Sequence, residues 1–142
     1  MKKILLSIMI MFSTIFAVDF SQDTLYKADI DSQTAYNLQQ KGAILIDVRT
    51  KREFEFAHPK DAINIPIFYE KFGQRVLNKD FVEQVDYLVK SNMEKEIILI
   101  CRSGSRTKFA ANILGQEGFS NIYNIKNGFA YDWSKTQLPI SK

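Results

Sequence analysis

The chain reads as an α/β protein built on a parallel sheet, and three observations predict this class. Short apolar, β-branched runs alternate with segments of helical periodicity. Two of the runs, Ala43-Ile44-Leu45-Ile46-Asp47-Val48 and Glu96-Ile97-Ile98-Leu99-Ile100, are almost continuously apolar, as in strands covered on both faces. The polar segment Cys101-Arg102-Ser103-Gly104-Ser105-Arg106 then joins the second run directly to a helical one. Ligands of open parallel sheets bind at such strand ends.

Taken in order, Tyr26 to Ile30 is expected to be a short edge strand. Asp31 or Ser32 caps a helix running to about Gln40, with Gly42 in the position after its end. Ala43 to Val48 is the first central strand, and Thr50-Lys51-Arg52-Glu53 matches a capping box that opens a short helix. Ala62 to Ile65 reads as a strand stopped by Pro66. Asn78 to Lys90 reads as an amphipathic helix, capped by Asn78 or Asp80, with Phe81, Val85 and Leu88 facing inward. The Cys101 strand follows, then a helix ending near Gly118 whose inward face is expected to hold Phe109, Ala110, Ile113 and Leu114. Ile122 to Ile125 is the last strand, before an Asn127-Gly128 turn and a tail containing Trp133.

At 142 residues and 46% hydrophobic content the chain suits one domain with one core. Lys2-Lys3 followed by the uncharged apolar run Ile4 to Val18 has the pattern of a secretory signal. The run is short for a membrane span, which takes about 20 residues. Residues 1–17 are therefore expected to be a signal peptide cleaved after Ala17. Ile15 is bulky where a small residue is preferred, which leaves a retained anchor as the alternative. Residues 18–27 form a lead-in and residues 28–142 the domain. The expected location is outside the cytoplasm, in a bacterial periplasm. Without residues 1–17 the chain carries 17 basic and 16 acidic residues, dispersed and without a recognition motif. No nucleic-acid partner is expected, and no membrane contact unless the N-terminal segment is retained.

Cys101 is the only cysteine, so an intramolecular disulfide is excluded. At a helix N-terminus, unpaired N–H groups and the helix dipole favour an anion, and two arginines add full charge. Such surroundings stabilise a thiolate, the nucleophilic form, and make Cys101 the candidate catalytic residue. The loop N–H groups form a cradle that would hold a persulfide equally well. Arg102, Ser103, Gly104, Ser105 and Arg106 are the candidate cradle. Arg102 either orients an anionic substrate or is an exposed charge, and Gly104 serves the backbone path. Ser103 and Ser105 either donate hydroxyls or cap the next helix. Arg106 opposes the dipole where it stands, which points to a functional or anchoring role. Asp47 and Arg49, at another strand end, either contact this loop or pair with each other. His58 is the only histidine, so a His/Cys metal cluster cannot be assembled, and a structural hydrogen bond is its expected role. No metal or cofactor is expected.

Over about residues 28 to 133 these segments resemble the rhodanese (sulfurtransferase) family. Ile44 to Arg49 is similar to its Ile-Asp-Val-Arg strand end, and Glu53 to Pro66 to its Gly-His-Ile…Gly-Ala-Ile-Asn-Ile-Pro segment. Cys101 to Arg106 resembles its active loop, and Asn121 to Gly128 with Trp133 its closing strand and turn. This chain departs at Ala57-His58-Pro59, at Asp61 in place of a glycine, and at Asn127-Gly128 in place of paired glycines. The resemblance implies a three-layer α/β/α fold with a five-stranded parallel sheet in the order 1-5-4-2-3. It also implies transfer of a sulfane sulfur from a small anionic donor such as thiosulfate, through Cys101, to cyanide or a thiol, including a protein thiol. The same loop would serve a persulfide carrier or interaction module with little small-molecule turnover. Related phosphatases and arsenate reductases use Cys-x5-Arg. Here the spacing is Cys-x4-Arg, with Thr107 at the phosphatase arginine position, which argues against that chemistry.

Overall fold

The computed structural model describes residues 24–142, so the expected signal peptide lies outside the described residues. The first half contains β1 (Ala28–Ile30), α1 (Ser32–Gln40), β2 (Ile44–Asp47), α2 (Lys51–Phe56), β3 (His58–Pro59), β4 (Ile63–Asn64), β5 (Phe68–Lys71) and β6 (Gln74–Leu77). The second half contains α3 (Phe81–Leu88), β7 (Ile97–Ile100), α4 (Ser105–Gln116), β8 (Ile122–Ile125), α5 (Gly128–Tyr131), a 3-10 turn at Trp133–Lys135 and β9 (Ile140–Ser141).

Five strands form one parallel sheet in the order β1-β8-β7-β2-β4. The expected 1-5-4-2-3 counted only five strands in the chain. Four more lie outside the sheet, as the pairs β3–β9 and β5–β6, and they shift the labels. Numbered over the sheet's own members, the order is first, fifth, fourth, second, third.

Period-two alternation along the buried strands builds the layers. Ile97 and Leu99 of β7 and Ile46 of β2 face one side, against Phe81 and Val85 of α3 and Ala110, Ala111 and Leu114 of α4. Ile98, Ile100 and Leu45 face the other, against Ala35 of α1 and the fully buried Trp133. Each fully buried aliphatic side chain contributes about 1.5–3 kcal/mol, and β7 supplies four in succession. The central strand that leads into Cys101 is thus the one strand of this sheet buried at every residue.

Helix ends follow local chemistry. Asp31 accepts a hydrogen bond from Thr34 N at 2.7 Å, and Gly42 takes φ +104 beyond the far end of α1. Thr50 and Glu53 form the expected capping box of α2. Of the two expected caps of α3, Asp80 takes the N-cap position without a side-chain cap bond. The Asn78 side chain donates to Pro66 O and to Gln84 Oε1 and accepts from Asp80 N, bracing the turn before the helix. Lys90 and Ser91, both at positive φ, end the helix.

The inward face of α4 differs from expectation. Phe109 is 45% exposed, and the buried set is Arg106, Thr107, Ala110, Ala111 and Leu114. Two adjacent alanines bring the helix close to the sheet, while Phe109 turns outward to stack on Phe68 of β5 at 5.8 Å. The β5–β6 hairpin itself was not expected. Its Phe72-Gly73 turn has positive φ at both residues, the geometry that matches strand twist in two-residue hairpins. At the N-terminus, Tyr26 is buried in the core and Lys27 N donates to Ile122 O, so part of the lead-in packs with the domain. Among the described residues no helix is long and apolar enough to cross a membrane.

Candidate functional site

Cys101 follows β7 directly and is fully buried. Gly104 N–H donates to its Sγ at 3.1 Å, and Thr107 Oγ1 lies 3.5 Å from the same sulfur. The Thr107 hydroxyl donates its own proton to Gly104 O at 2.8 Å. The thiol form of Cys101 therefore donates to Thr107 Oγ1, and the sulfur rests on the first turn of α4.

Two glycines shape this loop. Gly104 has φ +92, and a Cβ there would run into the carbonyl oxygen of Lys126. Gly128 has φ +65, and a Cβ there would strike the Cys101 and Arg102 backbone. That close approach lets the first turn of α5 spend its unpaired donors on the loop. Phe129 N–H donates to Cys101 O at 2.7 Å and Ala130 N–H to Arg102 O at 3.0 Å.

The other candidate residues divide by contact. Arg102 is exposed, with its guanidinium carbon 5.6 Å from the Tyr131 ring centre. Ser103 and Ser105 are exposed, 3.5 Å apart at their hydroxyls, and neither caps α4; the N-cap is Gly104. The geometry thus corrects the capping alternative, because a left-handed N-cap leaves no serine in register with the free N–H groups. Arg106 makes no bond to Sγ. Its guanidinium is held by both oxygens of Glu53, at 2.7 and 2.8 Å, with only 8% of its side chain exposed. Its role in this geometry is anchoring: it ties the loop to α2.

Asp47 and Arg49 pair with each other in the interior, Nη2 to Oδ2 at 2.7 Å, rather than touching the loop. Arg49 also donates to Ala57 O, and its guanidinium stacks 4.4 Å from the ring centre of Phe129. The pair thereby reaches the loop indirectly, through the residue whose N–H holds Cys101 O. His58 donates from Nδ1 to Phe54 O at 2.8 Å and stacks on the Phe54 ring, as its structural reading expects. No group of three or more His, Cys, Asp or Glu that could hold a metal occurs among the described residues.

Beside the loop lies an open cleft of about 950 Å³, walled by Arg102, Phe129, Glu53 and Phe56 and by Glu70 and Arg75 of the hairpin. Sequence reasoning missed Thr107 as a sulfur contact and Phe129, Phe56 and Arg75 as cleft residues. The signal for Arg75 was present, in two strand-prone runs flanking Phe72-Gly73. Nothing local marks Phe129.

A family model described as Rhodanese-like domain matches residues 31–135. The chain belongs to the rhodanese-like family. It is 32% identical over 113 residues to thiosulfate sulfurtransferase GlpE of Actinobacillus pleuropneumoniae serotype 3, covering 79% of this chain and 91% of that one. It is 34% identical over 110 residues to senescence-associated protein DIN1 of Raphanus sativus, matching 78% of this chain but spanning only 58% of that relative's length. The crystal structure of Rv0390 from M. tuberculosis shares the fold, with a TM-score of 0.67 at 24% identity over 82% of this chain and 98% of that one.

Within this rhodanese-like fold, two departures from the family pattern have a local account. Asp61, standing where the pattern has glycine, keeps the left-handed backbone at φ +64, a region aspartate tolerates better than most residues. Pro59 lies in β3, whose pairing with β9 fastens the C-terminal end of the chain.

The Glu53–Arg106 pair makes the rhodanese-like domain acid-sensitive. Burial raises the Glu53 pKa, but the Arg106 hydrogen bonds and charge and the Thr50 contacts outweigh it, bringing it from 4.5 down to about 2. A depressed carboxylate stabilises the fold above its unfolded pKa, and that stability is lost as pH falls through the folded value. The window is therefore about pH 5 to 2. The Glu53 side chain is 30% exposed, so solvent screening limits the effect to about 1–2 kcal/mol. Urea unfolding at pH 6 and pH 3 is expected to show a correspondingly smaller acid loss in Glu53→Gln than in the wild type. Equal losses in both proteins would remove the pair from acid stability.

Proposed function

We propose that this chain is a sulfurtransferase that carries a sulfane sulfur as a persulfide on Cys101. The Cys101 thiolate attacks the outer sulfur of thiosulfate; a new S–S bond forms, the donor's S–S bond breaks, and sulfite leaves with the electron pair. The persulfide then passes its outer sulfur to cyanide or a thiol, and Cys101 returns as thiolate. The observation that carries this reading is the Gly104 N–H aimed at Sγ from 3.1 Å, in a loop opening beside a cleft walled by Arg102. Such a donor is worth most where water is excluded, and Cys101 is fully buried. The kinship with a thiosulfate sulfurtransferase supports the same reaction class. Lys2-Lys3 and the apolar run after it support export to the periplasm, with residues 28–142 as the working domain.

Intact mass spectrometry tests the first half of the cycle: thiosulfate adds one sulfur atom, and cyanide removes it. Thiocyanate produced over many turnovers establishes an enzyme, whereas labelling that stops at one sulfur assigns a carrier. No added sulfur from any anionic donor would overturn the reading.

Arg102 recognises the donor's charge in this scheme. Arg102→Ala is expected to lower kcat/KM for thiosulfate about tenfold, the loss of one charge-assisted contact, and to lower it less for an uncharged persulfide donor. Equal losses for both donors would remove Arg102 from anion recognition.

A further inference from the structure

The cleft is larger than an inorganic sulfur anion requires. Its volume of about 950 Å³ lies within the ~300–1,000 Å³ of sites for organic ligands. Its charges are also unevenly used. Among the arginines and glutamates lining it, Arg49 is matched by Asp47, Glu53 by Arg106, and Glu55 by Lys51. Arg52, Arg75, Arg102 and Glu70 remain, none within 4.0 Å of an opposite charge among the described residues. The unpaired balance is cationic.

Arg75 stands apart from the loop in sequence but not in structure. It sits on β6 directly across from Glu70 on β5, and both face the cleft. The hairpin is seated by the Phe68–Phe109 stack on α4, the helix whose first turn holds Thr107 against Sγ. Phe56, 82% exposed, and Phe129 add apolar surface to the same cleft. Unpaired cationic charge and apolar surface in one cleft, beside the loop that holds the sulfur, fit an organic thiol that also bears a carboxylate.

We propose that Arg75 is a specificity residue that selects a carboxylate-bearing organic thiol as sulfur acceptor; this rests on the sulfurtransferase reading above. The acceptor thiol attacks the outer sulfur of the Cys101 persulfide. A new S–S bond forms, the bond to Sγ breaks with its electron pair left on Sγ, and the thiol proton passes to the terminal sulfur of the product persulfide. No external oxidant or reductant is needed. Arg75 holds the carboxylate throughout, and Glu70 opposes it.

The test compares 2-mercaptosuccinate with 2-mercaptoethanol as acceptors from sulfur-loaded protein. The intrinsic reactivity of each thiol cancels when a variant is compared with wild type. In Arg75→Ala the ratio of kcat/KM for the dicarboxylate over the neutral thiol is expected to fall about tenfold. Arg75→Lys should recover part of that loss, and Glu70→Gln should raise the ratio. An unchanged ratio in Arg75→Ala overturns the proposal. Calorimetric binding of succinate to Cys101→Ser protein reads the subsite without sulfur chemistry. Binding weakened by adding Arg75→Ala upholds the subsite even if the wild type never loads sulfur, in which case the transfer reading alone fails. Equal binding with and without Arg75 overturns the subsite itself.

Discussion

Cys101→Ser is expected to abolish sulfur loading. Thiosulfate should leave the intact mass of the variant unchanged, and thiocyanate production should fall by about three orders of magnitude or more, as for loss of a catalytic nucleophile. The reason is chemical rather than structural. A serine hydroxyl keeps an acceptor for Gly104 N–H and removes no carbon from the core, so the more polar group in this buried position should lower stability by only about 1–3 kcal/mol. A cooperative unfolding transition in the variant, beside lost sulfur loading, separates the two effects. A Cys101→Ser protein that still takes up sulfur would place the nucleophile elsewhere.

Gly104→Ala carries the second largest expected effect. Alanine at φ +92 has the conformational cost of a left-handed residue, about 1–2 kcal/mol, and its Cβ has no room before the carbonyl of Lys126. Because the obstacle is backbone, relief requires moving the loop or the β8–α5 connection. The combined loss of stability is expected to be about 3 kcal/mol or more. The same movement draws the Gly104 N–H away from Sγ, and sulfur loading should slow by about 100-fold even where the protein remains folded. Gly42→Ala is the matched control. Its φ is +104, and an added Cβ there would meet nothing within 4 Å, so it bears the conformational cost alone. If denaturant unfolding shows Gly104→Ala no more destabilised than Gly42→Ala, the collision does not govern the loop.

Much of this architecture was legible because its causes are local. The caps of α1 and α2 need only Asp31, Thr50 and Glu53 at fixed offsets, and all three act as their spacing expects. The apolar runs at β2 and β7 announced a sheet covered on both faces, since alternate residues on each strand enter separate cores. The failures have physical reasons too. Phe109 shares a helical face with Ala110, Ile113 and Leu114, but the unexpected hairpin gave it Phe68 as a stacking partner at the edge of the core. Of the two cap candidates for α3, Asp80 takes the N-cap position, while the Asn78 amide reaches back to Pro66 O, a contact that spacing along the chain does not record.

The site shows the same division. Residue order alone establishes that a lone cysteine follows a buried strand, that a glycine lies three residues on, and that two arginines flank the turn. Those features depend on neighbours along the chain, where spacing and backbone freedom act directly. What each arginine does is set by folding. Arg106 is committed to Glu53, fifty-three residues away in sequence, whereas Arg102 is left to line the cleft that the distant hairpin completes with Arg75. Charge pairing is a matter of distance in space, and spacing along the chain does not record which carboxylate will arrive.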